Sequence, residues 1–293
     1  MTALTEPALV VPGVVEPAVD EPAVVEPGRA GPDGPAGGDP RLRISVVVPC
    51  KDDAVMLRRC LAALRAQGRR ADEVVVVDNG SLDDSAAVAR ARGARVVVEP
   101  EPGIPAASAA GYDAATGDVV ARLDADCVPG RDWLARIEAR FLADERLTAL
   151  TGGATFTDGP SHWRVPGARL YLGAYVLTVS SALGHVPLFG SNCAFRRAAW
   201  LEVRDEVHRT GTAVHDDIDL SYHLGPTRKI RFDPRLRMGI SARPFARDAG
   251  LGLRVRRGFR SVVVHWPHDW PWLRVTRRVV AAVRRAQHAR GVR

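Results

Sequence analysis

The sequence predicts an α/β fold, with a central, mostly parallel sheet flanked by helices and a helical C-terminal tail. Short β-branched runs recur at Arg43–Pro49, Glu73–Val77 and Arg95–Val98 and read as strands buried on both faces. Segments with apolar residues at helical spacing lie between them, and strands that alternate with helices pair in parallel under covering helices. In such sheets ligands bind beyond the carboxyl ends of the strands, so the residues that follow each run carry the functional argument.

Arg43–Pro49 (RISVVVP) is the first strand and Met56–Leu64 the first helix. Glu73–Val77 (EVVVV) is the second strand, Asp83–Arg92 a helix with Asp83 and Asp84 near its start, and Arg95–Val98 the third strand. An Ala-rich helix over Pro105–Ala115 leads to a fourth strand, Asp118–Leu123, and to a helix from Arg131 to Leu142. Leu147–Gly153 is a further strand. The alternation then lapses. Gly167–Leu183 reads as a helix, Gly190–Phe195 as a short strand or loop, and Ile230–Ile240 as a hairpin. His215–Leu224 opens with a cluster of acids, which suits the positive end of a helix.

With 46% hydrophobic and 26% charged residues in 293, the chain can bury a sizeable core. Residues 1–40 repeat a Pro/Val/Glu theme, with Pro7, Pro12, Pro17, Pro22 and Pro27, and carry a net charge of −6 without an aromatic residue. Such a segment is expected to be disordered. Residues 41–250 form the folded domain, with a first half at 41–154 and a second at 155–250. Residues 251–293 form a basic tail of net charge +10, which holds more than the whole chain's +7. The body therefore has no dispersed basic face, and nucleic-acid binding is not expected. In the tail, Trp272, Val275, Val279, Ala282 and Ala286 recur at helical spacing with Arg274, Arg278 and Arg285 elsewhere around the helix. An amphipathic basic helix of this kind suits peripheral contact with an anionic membrane.

Cys50, Cys60, Cys127 and Cys193 are widely spaced with no CxxC pair, so reduced thiols are expected rather than a zinc ribbon or a disulfide framework. Neither a secretory leader nor an apolar run of about 20 residues is visible. The expected location is cytoplasmic, with the tail on the inner face of the membrane.

Three groups of acids fall at or near element ends: Asp78, the pair Asp124 and Asp126, and Asp216, Asp217 and Asp219. A lone Asp after a strand is common in turns. In LDADC (Leu123–Cys127), however, two carboxylates one residue apart at a strand end can converge on a divalent cation that also binds phosphate oxygens. Such a cation offsets the charge that develops on a departing diphosphate. His223, His265 and His268 are further candidates for a metal shell. Asn192 and Cys193 are candidates to line an acceptor pocket, packing being the other reading.

The motifs VVVPCKDD (Val46–Asp53), VVVDNGSLDDS (Val75–Ser85), GYDAATGDVVARLDADC (Gly111–Cys127), GSNCAFRR (Gly190–Arg197) and HDDIDLSYHL (His215–Leu224) occur in an order that resembles the family-2 glycosyltransferases of the GT-A fold. The resemblance covers roughly Arg43 to Pro244. It implies a GT-A-type Rossmann-like sandwich whose 41–154 half binds a nucleotide-diphosphate-sugar donor and whose 155–250 half receives a hydroxyl acceptor. It implies that Pro49 and Asp53 border the nucleoside pocket, that Asp78 contacts the base, and that Asp124 approaches the ribose or the metal. Asp126 would be the direct ligand of Mn²⁺ or Mg²⁺. Of the acidic pair Asp216 and Asp217, the second would deprotonate the acceptor, with inversion at the anomeric carbon.

One departure matters. Ala107, Ser108 and Ala109 stand where the family usually has Ala-Arg-Asn, so an arginine expected near the donor phosphates is absent. Arg122, two residues before Asp124 on a strand and so on the same face, is the candidate to supply that charge. Two other readings compete. Asp124-Ala-Asp126-Cys-Val128 also fits the signature of a haloacid-dehalogenase-type phosphatase, with Asp124 as nucleophile. A non-catalytic nucleotide-sugar-binding module would bind donor without turnover. A Rossmann dehydrogenase is disfavoured, because PCKDD offers no glycine-rich phosphate turn.

Overall fold

The computed structural model describes residues 41–211, 213–243, 251–266 and 268–291, so the expected disorder of residues 1–40 lies outside the described residues. The first half follows the expected order: β1 (Ile44–Cys50), α1 (Ala54–Arg65), β2 (Glu73–Asp78), α2 (Ser85–Ala91), β3 (Arg95–Val98), α3 (Ile104–Ala114) and β4 (Val119–Arg122). Then come β5 (Val128–Pro129), α4 (Trp133–Leu142), β6 (Leu147–Phe156) and α5 (Arg164–Leu183). A single 3-10 turn at Gly190–Asn192 leads into β7 (Cys193–Arg196), α6 (Arg197–Val203), α7 (Asp216–Leu224) and β8 (Lys229–Ile240). The tail holds α8 (Leu251–Val263) and α9 (Pro271–Gly291).

All eight strands lie in one sheet of order β3-β2-β1-β4-β7-β6-β8-β5. Strands β1 to β4 pair in parallel, as does β6 with β8. β7 runs antiparallel between β4 and β6, and the two-residue β5 runs antiparallel to β8. The mostly parallel α/β sandwich is thus present, with one reversed strand wedged into its middle.

Alternation along β1 explains the layers. Val46 and Val48 face one core with Leu57 and Leu61 of α1 and Ile137 and Phe141 of α4. Val47 faces the other, with Tyr112 of α3 and Trp200 of α6. All seven residues of β1 are buried, so it reads as a near-continuous apolar run, and its polar Ser45 side chain is satisfied by Glu73 and the Gly117 amide. Each such Val or Leu adds about 1.5–3 kcal/mol by leaving water. On α3, a Cβ at Gly111 would lie 2.4 Å from Val47 Cγ1 and 2.8 Å from Val77 Cγ2, so only glycine lets this helix lie down on β1 and β2.

The expected hairpin at Ile230–Ile240 is instead one long strand. Pairing of β8 with β6 jumps from Gly152↔Asp233 to Gly153↔Arg237. Pro234, which has no N–H to give a ladder, lies inside the jump. The chain bulges there and rejoins the same partner rather than turning back. The four cysteines are free and buried, as expected.

The tail is helical, but its apolar stripe is not what it buries. Trp272 is 60% exposed and Val279 55%, whereas Arg274 is 1% exposed. The Arg274 guanidinium lies 4.5 Å from the Tyr222 ring centroid, donates to the Leu183 and Tyr222 carbonyls at 2.8 and 3.1 Å, and pairs with Asp269. No described helix is long and apolar enough to cross a membrane.

Candidate active site at the strand ends

The carboxyl ends of β1, β2 and β4 bring the first-half candidates to one rim. Pro49 and Cys50 end β1 level with Val77 and Asp78 of β2, and Arg122 ends β4. The loops after β1 and β2 brace each other. Asp53 N–H donates to Ser85 Oγ at 3.1 Å, Ala54 N–H to Asp83 Oδ2 at 2.9 Å, and Leu82 N–H to Asp52 Oδ1 at 2.6 Å. Asp83 and Ser85 thereby satisfy amides at the start of α1, as well as opening α2. Asp78 accepts the Ser81 amide at 3.2 Å, which shapes the turn that follows it.

Asp124, Asp126 and Cys127 place ligand atoms within 4.8 Å of one another. Burial and the neighbouring Asp124 push the Asp126 carboxyl above its ordinary value, with Arg243 opposing. Burial keeps the Cys127 thiol neutral by raising it well above its ordinary value. The donor set offered to a cation is therefore two carboxylates, which suits a hard ion such as Mn²⁺ or Mg²⁺. A positive charge already occupies this spot. Arg243 Nη2 lies 2.8 Å from Asp126 Oδ2 and 2.7 Å from Asp53 Oδ2, bridging two acids that the sequence separates widely. A guanidinium between these carboxylates shows that the place favours a cation.

Behind that pair sits Arg122, 3% exposed. Its Nη2 lies 2.9 Å from Asp124 Oδ1 and 3.4 Å from Asp216 Oδ2. Asp216 Oδ2 also accepts Ser108 Oγ–H at 2.8 Å, so the serine at the site of the missing arginine holds an acid of α7. Asp124 Oδ2 accepts Ser191 Oγ–H at 2.5 Å. A Cβ at Gly190 would fall 1.6 Å from Arg122 Nη1, which makes glycine obligatory where the 3-10 turn crosses the guanidinium.

Asp217 lies beside this bracket. Its Oδ2 accepts the Gly190 amide at 2.9 Å and is 3.4 Å from Tyr175 Oη. Burial and the nearby Asp216 raise its carboxyl above the ordinary value, against His215, Arg122 and the Gly190 amide. Asp216, fixed by Arg122 and Ser108, is the tethered member of the pair. Asn192 and Cys193 are packing residues: Asn192 is 0% exposed and bonds Trp133 Nε1 and the Gly153 and Leu236 carbonyls, and Cys193 is 1% exposed.

Arg243 thus joins Asp53 to Asp126, Arg122 joins Asp124 to Asp216, Asp217 lies beside the second bracket, and Pro49 and Asp78 stand on the same rim. His223 and His265 are not with them; they gather around Asp219. Arg243 and Tyr175 carry no motif, and Ser191 stands in GSNCAFRR without an assigned role, because each works through a contact across the fold.

The fold and the rim of acids define a GT-A-type α/β protein. The family model described as Glycosyl transferase family 2 matches residues 45–204, and the chain belongs to that family. An uncharacterized glycosyltransferase of Mycobacterium tuberculosis is 51% identical over 83 residues, 28% of this chain and 36% of the relative. The pre-mycofactocin glycosyltransferase of the same species is 30% identical over 219 residues, 69% of this chain and 43% of the relative. In both comparisons less than half of the relative's length is matched. In fold the chain is similar to a mannosyltransferase from Pyrobaculum calidifontis solved with GDP-Man and Mn²⁺, with TM-score 0.56, 20% identity and coverage of 86% and 80% of the two chains.

Proposed function

We propose that this chain transfers a glycosyl group from a nucleotide-diphosphate-sugar donor to an acceptor hydroxyl with inversion. The observation that carries this reading is the chain of contacts Asp126–Arg243–Asp53 and Asp124–Arg122–Asp216 beside Asp217, which sets a cation-seeking rim next to a basic carboxylate. Pro49, Asp53 and Asp78 border the nucleoside. Asp124 and Asp126 hold a Mn²⁺ or Mg²⁺ ion, which supplies counter-charge for the leaving diphosphate, an effect worth several kcal/mol. Arg122 contributes the charge of the missing family arginine from behind Asp124, since its head is buried between carboxylates. Asp217 takes the acceptor proton. Burial and the neighbouring Asp216 raise its carboxyl above the ordinary value, which suits a base, and Asp216 stays tethered by Arg122 and Ser108.

Family membership removes the haloacid-dehalogenase reading, in which Asp124 would have to be a free nucleophile; here it is engaged by Arg122 and Ser191. The non-catalytic alternative is separated by turnover. The test is a thermal-shift screen of nucleotide-diphosphate sugars with and without Mn²⁺, followed by transfer assays with the donor that binds. A donor raises apparent stability by mass action. Loss of transfer and of Mn²⁺ dependence in Asp126→Ala supports the proposal. Sugar transfer that survives this change, with Mn²⁺ dependence intact, overturns it; binding without turnover supports the alternative.

The tail supports a second element of the reading, peripheral contact with an anionic membrane at its cytoplasmic face. Val255 and Phe259 of α8 are 66% and 67% exposed. Trp272, Val275, Val279 and Val283 form an exposed stripe on α9, and Arg256, Arg260, Arg277, Arg278 and Arg284 are exposed on the same two helices. Apolar side chains flanked by arginines match the two attractions of an interfacial helix.

A further inference from the structure

We propose that His208, Asp219, His223 and His265 form a zinc site, separate from the acidic rim, that fastens α8 to α7. Asp219 and His223 are four residues apart on α7 and therefore on one face of it. Asp219 and Asp217 are two residues apart, about 200° around a helix, so the two carboxylates point to opposite sides. His208 comes from the segment after α6, and His265 from the turn that ends α8.

Three imidazoles converge on one carboxylate oxygen. His208 Nδ1, His265 Nε2 and His223 Nε2 lie 2.7, 3.1 and 3.6 Å from Asp219 Oδ1, and all four ligand atoms fall within 4.8 Å of one another. Zinc–nitrogen bonds of about 2.0–2.1 Å require tetrahedron edges of about 3.3 Å. The three distances bracket that value.

Hydrogen bonding alone leaves this cluster unsatisfied. His265 and His223 each have a buried Nε2 that is not placed to make a hydrogen bond. The far nitrogens are engaged. His265 Nδ1 lies 2.9 Å from the Ser261 carbonyl, a bond that requires Nδ1–H and leaves the Nε2 lone pair aimed inward when the ring is neutral. His223 Nδ1 lies 3.4 Å from Glu206 Oε2. Partners of this kind on the outer nitrogen, a backbone carbonyl and a carboxylate, are those that orient metal-bound histidines. Protonation is the competing explanation for the inner nitrogens. It would set imidazolium rings with centroids 5.3 to 6.3 Å apart against a single carboxylate. One divalent ion carries the same +2 as protons on His223 and His265 but reaches all three inner nitrogens at once, whereas the protons leave charged rings with centroids 5.3 Å apart.

Three nitrogens and one oxygen, with no thiolate, select Zn²⁺ from ions that suit imidazole, with Co²⁺ as a spectroscopic substitute. The carboxylate rim prefers harder ions, so the two sites differ in chemistry. His265 also stacks on Tyr222 at 4.0 Å between centroids, and Ser261 of α8 accepts the His215 amide at 2.7 Å, so the site lies in the seam between α7 and α8.

The experiment uses the full chain without a histidine tag, stripped with chelator, dialysed and titrated with Zn²⁺ and with Co²⁺. One equivalent of tightly held Zn²⁺ is expected, with the intense visible absorption of four-coordinate cobalt when Co²⁺ replaces it. Both signals should persist in Asp126→Ala. His208→Ala and His265→Ala should each weaken Zn²⁺ binding by at least about 10- to 100-fold, the range reached by loss of outer partners alone. His208 is 40% exposed at its side chain, so this variant reports even if His265→Ala fails to fold. His208→Cys should restore Zn²⁺ binding and add a thiolate-to-cobalt charge-transfer band. Absence of tight Zn²⁺ in the unaltered chain, or a Zn²⁺ affinity unchanged in His208→Ala, overturns the proposal. Neither readout involves sugar transfer.

Discussion

Arg243 and Asp126, 117 residues apart, are joined by an ion pair of 2.8 Å at the rim where the donor is proposed to bind. The same guanidinium holds Asp53, so it competes for carboxylate oxygens that would otherwise face a metal ion. Arg243 is half exposed, and pairs of that kind are worth up to about 1 kcal/mol. Arg243→Gln should therefore tighten Mn²⁺ binding by about two- to five-fold, measured by calorimetry. Unchanged or weaker binding would show that Arg243 does not oppose the ion.

Arg122 neutralises Asp124 and Asp216 from a position 4% exposed at its side chain. Removing one member of a buried ionic group leaves the others uncompensated. Arg122→Ala should lower unfolding free energy by about 3 kcal/mol, the low end for such a loss because Asp124 keeps some water. Denaturant unfolding checks it, and a change under about 0.5 kcal/mol would be that of an ordinary surface site.

Asp217→Asn keeps the shape and the Gly190 contact while removing the base. Transfer should fall about 10²- to 10⁴-fold. Donor affinity should stay near that of the parent, because Asp217 is proposed to serve the acceptor. Asp216→Asn should differ by weakening the Arg122 bracket and stability too. Equal kinetics for Asp217→Asn and the parent would remove Asp217 from the chemistry.

Acid should loosen the start of the sheet. Burial raises the Asp72 carboxyl, but the Ile44 amide and Arg69 outweigh it and hold it below its ordinary value, with Arg41 adding to them. A carboxyl lowered in the folded state stabilises fully above its unfolded value near 3.8 and loses that contribution as pH falls through the folded value. Asp72→Asn should thus cost about 2 kcal/mol at neutral pH. The gap between variant and parent should narrow as pH falls below 3.8 and through the folded value, as read from urea unfolding at a series of pH values.

Phe259→Ser with Trp272→Ser should reduce sedimentation with phosphatidylglycerol vesicles. About 2 kcal/mol per large apolar side chain predicts at least a ten-fold loss of partitioning for each. Binding that survives both changes and vanishes only with salt would assign the contact to the arginines alone.

The first half was legible because β1 and the middle of β2 are buried and the edge strand β3 carries the same β-branched run. RISVVVP, EVVVV and RVVV admit few readings other than parallel strands, and the strand ends predict the rim on which Asp78, Asp124 and Asp126 stand. The second half depends on contacts that leave no local trace. β7 is only four residues long and is a strand because β4 and β6 flank it. Lys229–Ile240 has a proline at its centre and reads as a turn until β6 supplies a continuous partner. The stripe on α9 reads as a face for an anionic membrane and is exposed in the fold, but Arg274, one of the arginines expected around it, is inside because Asp269 and two carbonyls satisfy it there. His223 and His265 were noticed as possible ligands; their focus, Asp219, was read as part of the acidic start of α7.

Because β7 runs opposite to β4, Cys193 is level with Arg122, and the turn before it arrives at the rim beside Asp124. Ser191 and Gly190 are thereby delivered from the sheet itself, whatever path the chain takes between β6 and that turn. Residues 157–189 reach the same acids by a second route, because Tyr175 of α5 lies 3.4 Å from Asp217. The charged edge is therefore held twice, by the sheet through β7 and by a helix through Tyr175, and a shift of that helix would move a partner of Asp217 while Ser191 stays on Asp124.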